Sequence, residues 1–483
     1  MAQDRGTLSK LVILDRDRSI LVDQTSQGCR LPEVTIPPFT RIGYAATTAA
    51  REKYGLALFV ITEATTKPRE TDSLDLEDLV LVCRLQDPDT SVPDGLAWHA
   101  QDKVELTNPD QMVLEAAMRE FETYDSGEKA GSFGRYRSLD DLRAWYTPHL
   151  ERLGLRETGI QQWNGDPWFA LFRIKTEPVA IEATVGATTD ANAEGAAELP
   201  KALWFKAVGE PNTREYAVSL ALARECPYWF AKIIASNPEW HGWLMEEVDG
   251  HELDEEPDGR PWALTARVLA KVQKRFLGKE DELLALGSRD WRMPRVLAAL
   301  DPFFEDMEEI MARQPGEPPR RLDRSGLRAL KVQCQDLCRR VEDVDIPYTI
   351  THGDFSPHNV MVANGWPVFI DWAEAYLSFP FISWEYFWNR MIKDHPEHAD
   401  WHERMHRNYA YRVWAPLLTR SRVDEGLRLS PAMAVLILAL YGIDDPVQRQ
   451  NRRADKGKRS LVRRLGRELE ILQNTKAEPV GAL

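Results

Sequence analysis

The sequence predicts an α+β protein with more than one domain, and three observations support this. Short apolar runs bounded by turns occupy the first half of the chain, beginning with LVILD at 11–15 and SILVD at 19–23. From about residue 262 onward, apolar residues recur at helical spacing. At 483 residues the chain is long for one domain, so two or three are expected.

The order of these signals divides the chain into four segments. Residues 1–135 are predicted to form a small α/β domain, and the helical pattern over 136–154 a connector. Residues 155–248 are rich in strand patterns, and 249–483 are mainly helical. The last helical pattern, GKRSLVRRLGRELEILQN, is amphipathic and is expected to pack its apolar stripe on the helical segment, with membrane binding as the alternative.

Two stretches lack periodicity and are expected to be irregular. Residues 177–201 are rich in Ala, Thr and Glu, which is typical of a long loop, here placed between two strands. Residues 314–322, with the sequence QPGEPPRRL, interrupt the helical pattern.

The most informative stretch is HGDFSPHN at 352–359, which is followed by an acid at Asp371. Between them, NVMVA and WPVFI flank an Asn-Gly pair, which predicts a β-hairpin with a type I′ turn. The hairpin would set Asn359 opposite Ile370, so that Asn359 and Asp371 meet at its open end. Their oxygen atoms suit a hard cation, and Asp354 lies in the loop just before. Phosphoryl transfer from ATP requires these residue types at this spacing.

This motif resembles that of the aminoglycoside phosphotransferase and choline kinase branch of the kinase-like folds, which uses H-G-D-x-x-x-x-N followed by I-D-W or I-D-F. The resemblance implies a two-lobed protein-kinase-like fold, with a small β-rich lobe over 155–248 and a large helical lobe over 249–483. It also implies that Asp354 is the catalytic base or orients the acceptor hydroxyl. Asn359 and Asp371 would bind Mg²⁺, and His352 would brace the loop.

The function implied is transfer of the γ-phosphoryl group of ATP, with Mg²⁺, to a hydroxyl of a small molecule such as an aminoglycoside, an amino alcohol or a sugar-like compound. An amine is the alternative acceptor group. A catalytically silent nucleotide-binding or scaffold module is the alternative function, and the presence of all the motif residues argues against it.

A lysine within an apolar strand pattern fits the same family. Lys206 lies inside ALWFKAV, and a buried lysine is unfavourable without a partner. In the family this lysine contacts the α- and β-phosphates and pairs with a helix glutamate, for which Glu215 is the candidate. Thr213 is placed to cap that helix. In the alternative interpretation, Lys206 reaches solvent from an edge strand and Glu215 is a surface acid.

The segment HGWLMEEVDGHEL at 241–253 is expected to link the two lobes. By resemblance, backbone groups from Glu246 to Val248 would contact adenine. Residues 160–176 suit two strands around an Asn-Gly turn, and they lack the G-x-G-x-x-G pattern of a phosphate-covering loop. The chain also lacks a Walker A sequence, which argues against the other large class of nucleotide-binding folds.

Two patterns point to metal hydrolases, and both are disfavoured. His352, Asp354 and His358 lack the further residues of a metallohydrolase cluster. Residues 402–406 read HERMH, which matches the zinc-protease pattern, but the flanks are strongly charged and no third ligand follows at a typical interval. A solvated or groove-lining helix is the preferred interpretation.

Composition limits the partners. The net charge of −15 argues against nucleic acid or an anionic membrane and suits a cationic ligand. The chain has five cysteines without C-x-x-C spacing, and Cys334 and Cys338 are expected to be buried thiols. Neither a secretory signal nor a run of 18 apolar residues is present, so a cytoplasmic protein is expected. The sequence leaves the oligomeric state open.

The acceptor side departs from the family pattern. Leu377 and Ser378 stand at a position where relatives often carry glycine, and Ser383 where they carry a second acid. We expect an acidic and aromatic cleft for a cationic or sugar-like acceptor, formed by Glu374, Glu385, Trp384, Trp388 and residues 249–256. The alternative is that these acids are solvated and the tryptophans belong to the core.

The first segment resembles a Nudix hydrolase domain with a degraded motif. Aligning Gly55 and Leu56 with the end of the Nudix box puts Glu52 on one metal-binding glutamate and Lys53 on the next. Glu33 and Val34 replace the two glycines before the helix, and Thr48 and Ala49 the R-E pair. The resemblance implies an accessory domain without hydrolysis, because a lysine occupies a position where the cation needs a carboxylate. An unrelated small α/β domain is the alternative.

Overall fold

The computed structural model describes residues 6–65 except 27 and 39, then 79–179, 199–313, 322–443, 449 and 456–474. The chain forms two compact units. The first comprises Met1–Tyr216 and Lys232–Glu247, and the second Ala217–Ala231 and Val248–Leu483. Most of the loop expected at 177–201 and the break at 314–322 lie outside the described residues.

The first unit is dominated by β-strands. Its elements in chain order are β1 (Thr7–Leu14), β2 (Ile20–Thr25), β3 (Gly28–Arg30), β4 (Glu33–Ile36), α1 (Ile42–Tyr54), β5 (Leu58–Thr65), β6 (Leu79–Leu85), β7 (Leu96–His99), α2 (Asn108–Asp125), α3 (Ser138–Arg152), β8 (Leu155–Gln162), β9 (Ala170–Pro178), β10 (Ala202–Ala207), α4 (Arg214–Glu225, which continues into the second unit), β11 (Ile233–Asn237) and β12 (Gly242–Glu246).

These strands form two sheets. In the first, the order is β3-β2-β1-β6-β5, with β4 also paired to β1 and β7 to β2. The pairing of β1 with β6 is parallel, whereas the other pairs are antiparallel. The second sheet is antiparallel, with the order β11-β12-β10-β9-β8.

One hydrophobic core joins the two sheets, which differs from the predicted division into a separate domain over 1–135, a connector over 136–154 and a small lobe over 155–248. Phe59 of β5 stacks on Phe172 of β9 with ring centroids 5.8 Å apart. Phe133 lies 5.9 Å from Phe205 of β10. Helix α3 buries Tyr146 in the same core. The connector and the first segment therefore cover the second sheet and are not independent of it.

Helix α1 is the helix expected from the Nudix resemblance. Glu52 is exposed on it, and Lys53 donates from Nζ to the backbone oxygen of Glu33 at 2.9 Å. The likeness to a Nudix domain stays a prediction. Helix α2 was not predicted, although Thr107 caps its first turn and Pro109 stands within that turn, which are two recognisable start signals.

The second unit is mainly helical, which confirms the α+β class. Its elements are β13 (His251–Glu252), α5 (Gly259–Arg275), α6 (Glu280–Ala285), β14 (Arg289–Asp290), α7 (Met293–Ala312), α8 (Arg324–Val344), β15 (Thr349–Thr351), β16 (Val360–Ala363), β17 (Trp366–Phe369), β18 (Tyr376–Ser378), α9 (Phe381–Asp394), α10 (Ala399–His406), a π-helical turn (Arg407–Trp414), α11 (Arg420–Leu440) and α12 (Lys456–Asn474).

Two small sheets, with the orders β13-β16-β17 and β14-β18-β15, lie among these helices. The stripe of α12 formed by Val462, Leu465, Leu469 and Leu472 is buried in the core of this unit, as predicted. Cys334 and Cys338 are also buried there. Within the described part of the chain, no helix has the length and apolar character needed to cross a bilayer.

Candidate active site

The predicted hairpin is present and brings two oxygen-bearing side chains to one end. Strands β16 and β17 pair from Val360 opposite Phe369. Asn364 and Gly365 form the turn with φ of 50° and 76°, as a type I′ turn requires. Beyond the last pair, the backbone N–H of Ile370 donates to the oxygen of Asn359 at 3.1 Å. Asn359 and Asp371 therefore share the open end.

Asp354 lies in the loop between β15 and a short 3-10 turn at Pro357–Asn359. The amide of Asn359 donates from Nδ2 to the backbone oxygen of Asp354 at 2.8 Å and to its Oδ2 at 3.3 Å. The N–H of Ser356 donates to the same backbone oxygen at 2.9 Å. These bonds fix the position of the Asp354 carboxylate relative to the hairpin.

Only glycine fits at position 353. Gly353 has φ of 83°, and a Cβ there would stand 2.2 Å from the backbone oxygen of Glu374. Contact this close is impossible for any side chain, and the left-handed backbone is itself unfavourable for other residues. The glycine therefore lets the loop that carries Asp354 approach the segment after the hairpin.

His352 braces this loop, as the resemblance implied. The ring is buried and donates from Nε2 to the backbone oxygen of Ile370 at 3.0 Å. The backbone N–H of His352 donates to Ser383 Oγ at 2.9 Å. Ser383, which stands where relatives carry an acid, thus still anchors the loop. Burial lowers the pKa of His352, which keeps the ring neutral.

The metallohydrolase interpretation does not fit this geometry. His358 is exposed, and its Nδ1 lies 2.6 Å from Glu252 Oε2. The Nε2 atom of His352 is already bonded to a backbone oxygen. The three residues therefore do not present their nitrogen and oxygen atoms to a common point.

The structure adds Tyr386, which the sequence analysis missed. Its hydroxyl is hydrogen-bonded to the carboxylate of Asp354, and burial together with that negative charge raises the pKa of Tyr386 to about 12. Tyr386 lies on α9 with Ile382, Asn389 and Lys393, which recur at helical spacing and line one cavity. The helical spacing of these four residues could have identified Tyr386 as a cavity residue from the sequence. The tryptophans on the same helix, by contrast, are not among the residues that line the cavity.

The residues at the open end of the hairpin fit a magnesium ion. Because Nδ2 of Asn359 donates to Asp354, its carbonyl oxygen Oδ1 is the atom that can serve as a ligand. Asp371 is exposed, with φ of 59°, and supplies carboxylate oxygens. An all-oxygen donor set is the kind that Mg²⁺ prefers.

In the first unit, Lys206 and Glu215 form the expected pair. Nζ of Lys206 lies 2.5 Å from Glu215 Oε1, and the two residues are only 7% and 1% exposed. Lys206 also lies over the rings of Phe169 and Trp243. The alternative interpretation, in which both residues face solvent, is wrong. A buried pair is weak support for stability as such, because desolvation offsets much of the attraction.

The segment expected to contact adenine is partly engaged in the sheet. The N–H of Glu246 donates to the oxygen of Lys232 at 2.9 Å, and the N–H of Glu247 to that of Ala202 at 3.2 Å. The carboxylate of Glu247 is bonded to Arg173. The proposed adenine contact therefore rests on the backbone of Val248.

A cavity of about 840 Å³ in the second unit includes Asp354 in its wall. Glu374 lines it, as expected, but Glu385, Trp384 and Trp388 are not among its lining residues. Trp384 is buried and stacks on Tyr409 with ring centroids 4.6 Å apart. The tryptophans of α9 therefore belong to the core, as the alternative interpretation held.

Glu385 is buried and accepts hydrogen bonds from Asn389 Nδ2 at 2.6 Å and Ser430 Oγ at 3.1 Å. Burial raises the pKa of Glu385 to about 6. Its carboxylate is thus a structural group between α9 and α11, and the expectation that it contacts the acceptor is wrong.

The HERMH sequence forms part of α10 and does not assemble a metal site. His402 packs against Trp388, and His406 against Tyr411. Among the described residues, the ligand atoms that gather in a group of three belong instead to His395, Glu397 and His398.

Comparison with known proteins finds a family model that matches part of the chain. Residues 210–417 match the model of the phosphotransferase enzyme family. No curated protein sequence matches the chain.

Solved structures resemble the chain only distantly. An ethanolamine kinase from Plasmodium vivax is 12% identical, with a TM-score of 0.45 over 74% of this chain and 94% of that one. A choline/ethanolamine kinase family protein from Mesorhizobium loti is 15% identical, with a TM-score of 0.42 over 70% and 95%. A macrolide 2′-phosphotransferase from Brachybacterium faecium is 16% identical, with a TM-score of 0.37 over 71% and 100%.

Proposed function

We propose that this chain, in which residues 210–417 belong to the phosphotransferase enzyme family, transfers the γ-phosphoryl group of ATP to a hydroxyl group of a small molecule. The family assignment supports a small-molecule phosphotransferase. The observation that carries the finer proposal is the bonding of Asn359 to Asp354 at the open end of the hairpin that also bears Asp371.

In this proposal, Asp354 orients the acceptor hydroxyl and accepts its proton. The bond from the hydroxyl oxygen to the γ-phosphorus forms while the bond from that phosphorus to the bridging oxygen of ADP breaks. Asn359 and Tyr386 hold the carboxylate of Asp354 in place. Asn359 and Asp371 would hold Mg²⁺, which, when bound, neutralises charge on the phosphate oxygens.

Lys206 is proposed to contact the phosphates of ATP, with Glu215 fixing its ammonium group. A lysine ammonium group has three N–H donors and suits anionic oxygens, and the buried carboxylate of Glu215 fixes its position. The backbone of Val248 is proposed to contact adenine.

The test is a phosphorylation screen with labelled ATP against aminoglycosides, macrolides, amino alcohols and sugars. With the acceptor so identified, Asp354→Asn should lower kcat by roughly 10²- to 10⁴-fold and leave Mg·ATP affinity nearly unchanged. Asp371→Asn should instead weaken Mg²⁺-dependent ATP binding. Asp400→Asn, at an exposed site on α10, is the matched control and should change neither quantity.

Two outcomes would contradict the proposal. Full activity of Asp354→Asn would remove its assigned role. Binding of Mg·ATP without turnover of any acceptor would favour the silent nucleotide-binding module.

A further inference from the structure

Glu374, which lines the cavity together with Asp354, already has a cationic partner. Oε2 of Glu374 lies 3.2 Å from Arg289 Nη1, and Tyr441 is hydrogen-bonded to the same carboxylate. The Arg289 guanidinium also stacks over the Tyr441 ring at 4.4 Å. A cationic acceptor would have to displace Arg289 to pair with Glu374, so this carboxylate does not form a ready site for a cation.

Basic groups line the same cavity on α9 and α12. Lys393 is exposed and has no ion-pair partner among the described residues. Arg390 pairs with Asp394 through Nη2 at 3.3 Å, but its Nε is buried and lacks a hydrogen-bond acceptor in the described part of the chain. Nε of Arg464 lies 3.7 Å from Oε1 of Glu468. Of these three basic groups, Lys393 is therefore the one whose charge has no ion-pair partner within the described part of the chain.

The rest of the wall is apolar. Ile382, Ile392, Val435 and Leu438 line the cavity from α9 and α11. Ile392 is 39% exposed and Leu438 is 45% exposed, so part of the apolar surface of both side chains is in contact with water. Covering that surface with an apolar ligand is favourable in proportion to the area removed from water.

We propose that the acceptor is a hydroxylated molecule with an apolar body and a negatively charged group, an inference that rests on the proposed phosphotransferase function. The hydroxyl would lie at Asp354, the body along Ile392 and Leu438, and the anion at Lys393. Tyr386, which contacts Asp354, precedes Lys393 by seven residues on α9, and seven residues of helix span about 10 Å. The hydroxyl and the anion must therefore be separated by roughly that length.

The test uses three probes of equal length, measured by calorimetry on the full chain without nucleotide. They are an ω-hydroxy decanoate, the corresponding decane diol and the corresponding ω-amino decanol. We expect the decanoate to bind at least about fivefold more tightly than the diol, and the amino alcohol most weakly, as one partly exposed ion pair allows.

Two variants with matched controls locate the site. Lys393→Ala should reduce decanoate affinity to that of the diol and leave diol affinity unchanged, whereas Lys274→Ala, at an exposed lysine of α5 outside the cavity, should change neither. Leu438→Asp should weaken binding of all three probes, whereas Leu417→Asp, at a leucine outside the cavity that is 41% exposed, should not.

Binding and turnover separate the two proposals. The amino alcohol binding most tightly, or Lys393→Ala leaving decanoate affinity intact, would overturn the assignment of the acceptor. Decanoate binding in the expected order supports the assignment of the ligand class. Failure of the proposed function would be registered separately, as absence of ATP turnover both with every acceptor of the screen and with the decanoate.

Discussion

The carboxylate of Asp354 accepts hydrogen bonds from two side chains of different chemistry. Asn359 donates an amide and Tyr386 a hydroxyl. Both donors restrict the orientation of the carboxylate. In the proposed site Asn359 would also offer Oδ1 to a cation, so Tyr386 is the residue whose loss reports on the carboxylate alone.

Tyr386→Phe should lower kcat by about three- to tenfold and leave Mg·ATP affinity nearly unchanged, because a donor that restrains the carboxylate of Asp354 is removed. The measurements are kcat with the acceptor found in the screen and the affinity for Mg·ATP. Tyr228→Phe is the control, since Tyr228 is 86% exposed. An unchanged kcat would show that the hydroxyl of Tyr386 does not position Asp354.

Because of Glu385, the free energy of unfolding should decrease as the pH rises through about 6. Because burial raises the pKa of Glu385 from 4.5 to about 6, the folded state holds the proton more tightly than the unfolded state. The resulting stabilisation is complete below about pH 4.5 and is lost as pH passes 6, and it amounts to roughly 2 kcal/mol.

Glu385→Gln, which cannot titrate, should therefore gain roughly 2 kcal/mol relative to the wild type between pH 4.5 and 6.5, as measured by urea unfolding. Between pH 7 and 8 the difference between the two proteins should be constant, which serves as the internal control. A constant difference over the whole range would contradict the prediction.

At the scale of elements, local residues stabilise the hairpin, whereas residues distant in sequence stabilise the junction between the two large sheets. The hairpin is defined locally by its Asn-Gly turn. The junction depends on side chains that are distant in sequence. One of them, the buried side chain of Gln162, bonds to the backbone of Val60 as a neighbouring strand would. Its Oε1 accepts from Val60 N–H at 2.7 Å, and its Nε2 donates to Val60 oxygen at 2.8 Å. Val60 lies at a register shift between β5 and β6.

Gln162→Leu should lower the free energy of unfolding by about 2–4 kcal/mol, because both backbone groups of Val60 would be left buried without these partners. Denaturant unfolding measures this. Gln161→Leu on the same strand is the matched control and should change stability by less than about 0.5 kcal/mol. An equal effect of the two changes would show that the bonds to Val60 are not responsible.

At the scale of the whole molecule, the first 135 residues are part of the fold that carries Lys206. Phe133 contacts the rings of Phe172, Phe205 and Trp240 at centroid distances of 6.4, 5.9 and 5.9 Å. A chain without these residues would expose the aromatic face of the second sheet to water.

Deletion of residues 1–135 should therefore yield insoluble or loosely packed protein without cooperative unfolding. Phe133→Ala in the full chain should lower stability by about 3–5 kcal/mol and keep the protein folded. Circular dichroism and thermal unfolding of both variants provide the measurement. A soluble truncated chain with a sharp unfolding transition would show that the first segment is an independent domain after all.

The sequence by itself determined the features that depend on local chemistry. The Asn-Gly pair predicted the hairpin, the spacing of Asp354, Asn359 and Asp371 predicted the candidate site, and the apolar stripe predicted the buried face of α12. In each case the residues that decide the structure are close in the chain, so turn preferences and periodicity suffice.

Only the tertiary structure decided which acids and aromatic residues reach the cavity and where one folding unit ends. Glu385 and Trp384 resembled ligand-binding residues by type, but the packing of α9 against its neighbours buried them and turned Tyr386 and Lys393 to the cavity. The first segment showed its own strand pattern, yet its core was completed by β8 to β10. Burial depends on contacts between distant residues, which a local pattern does not contain.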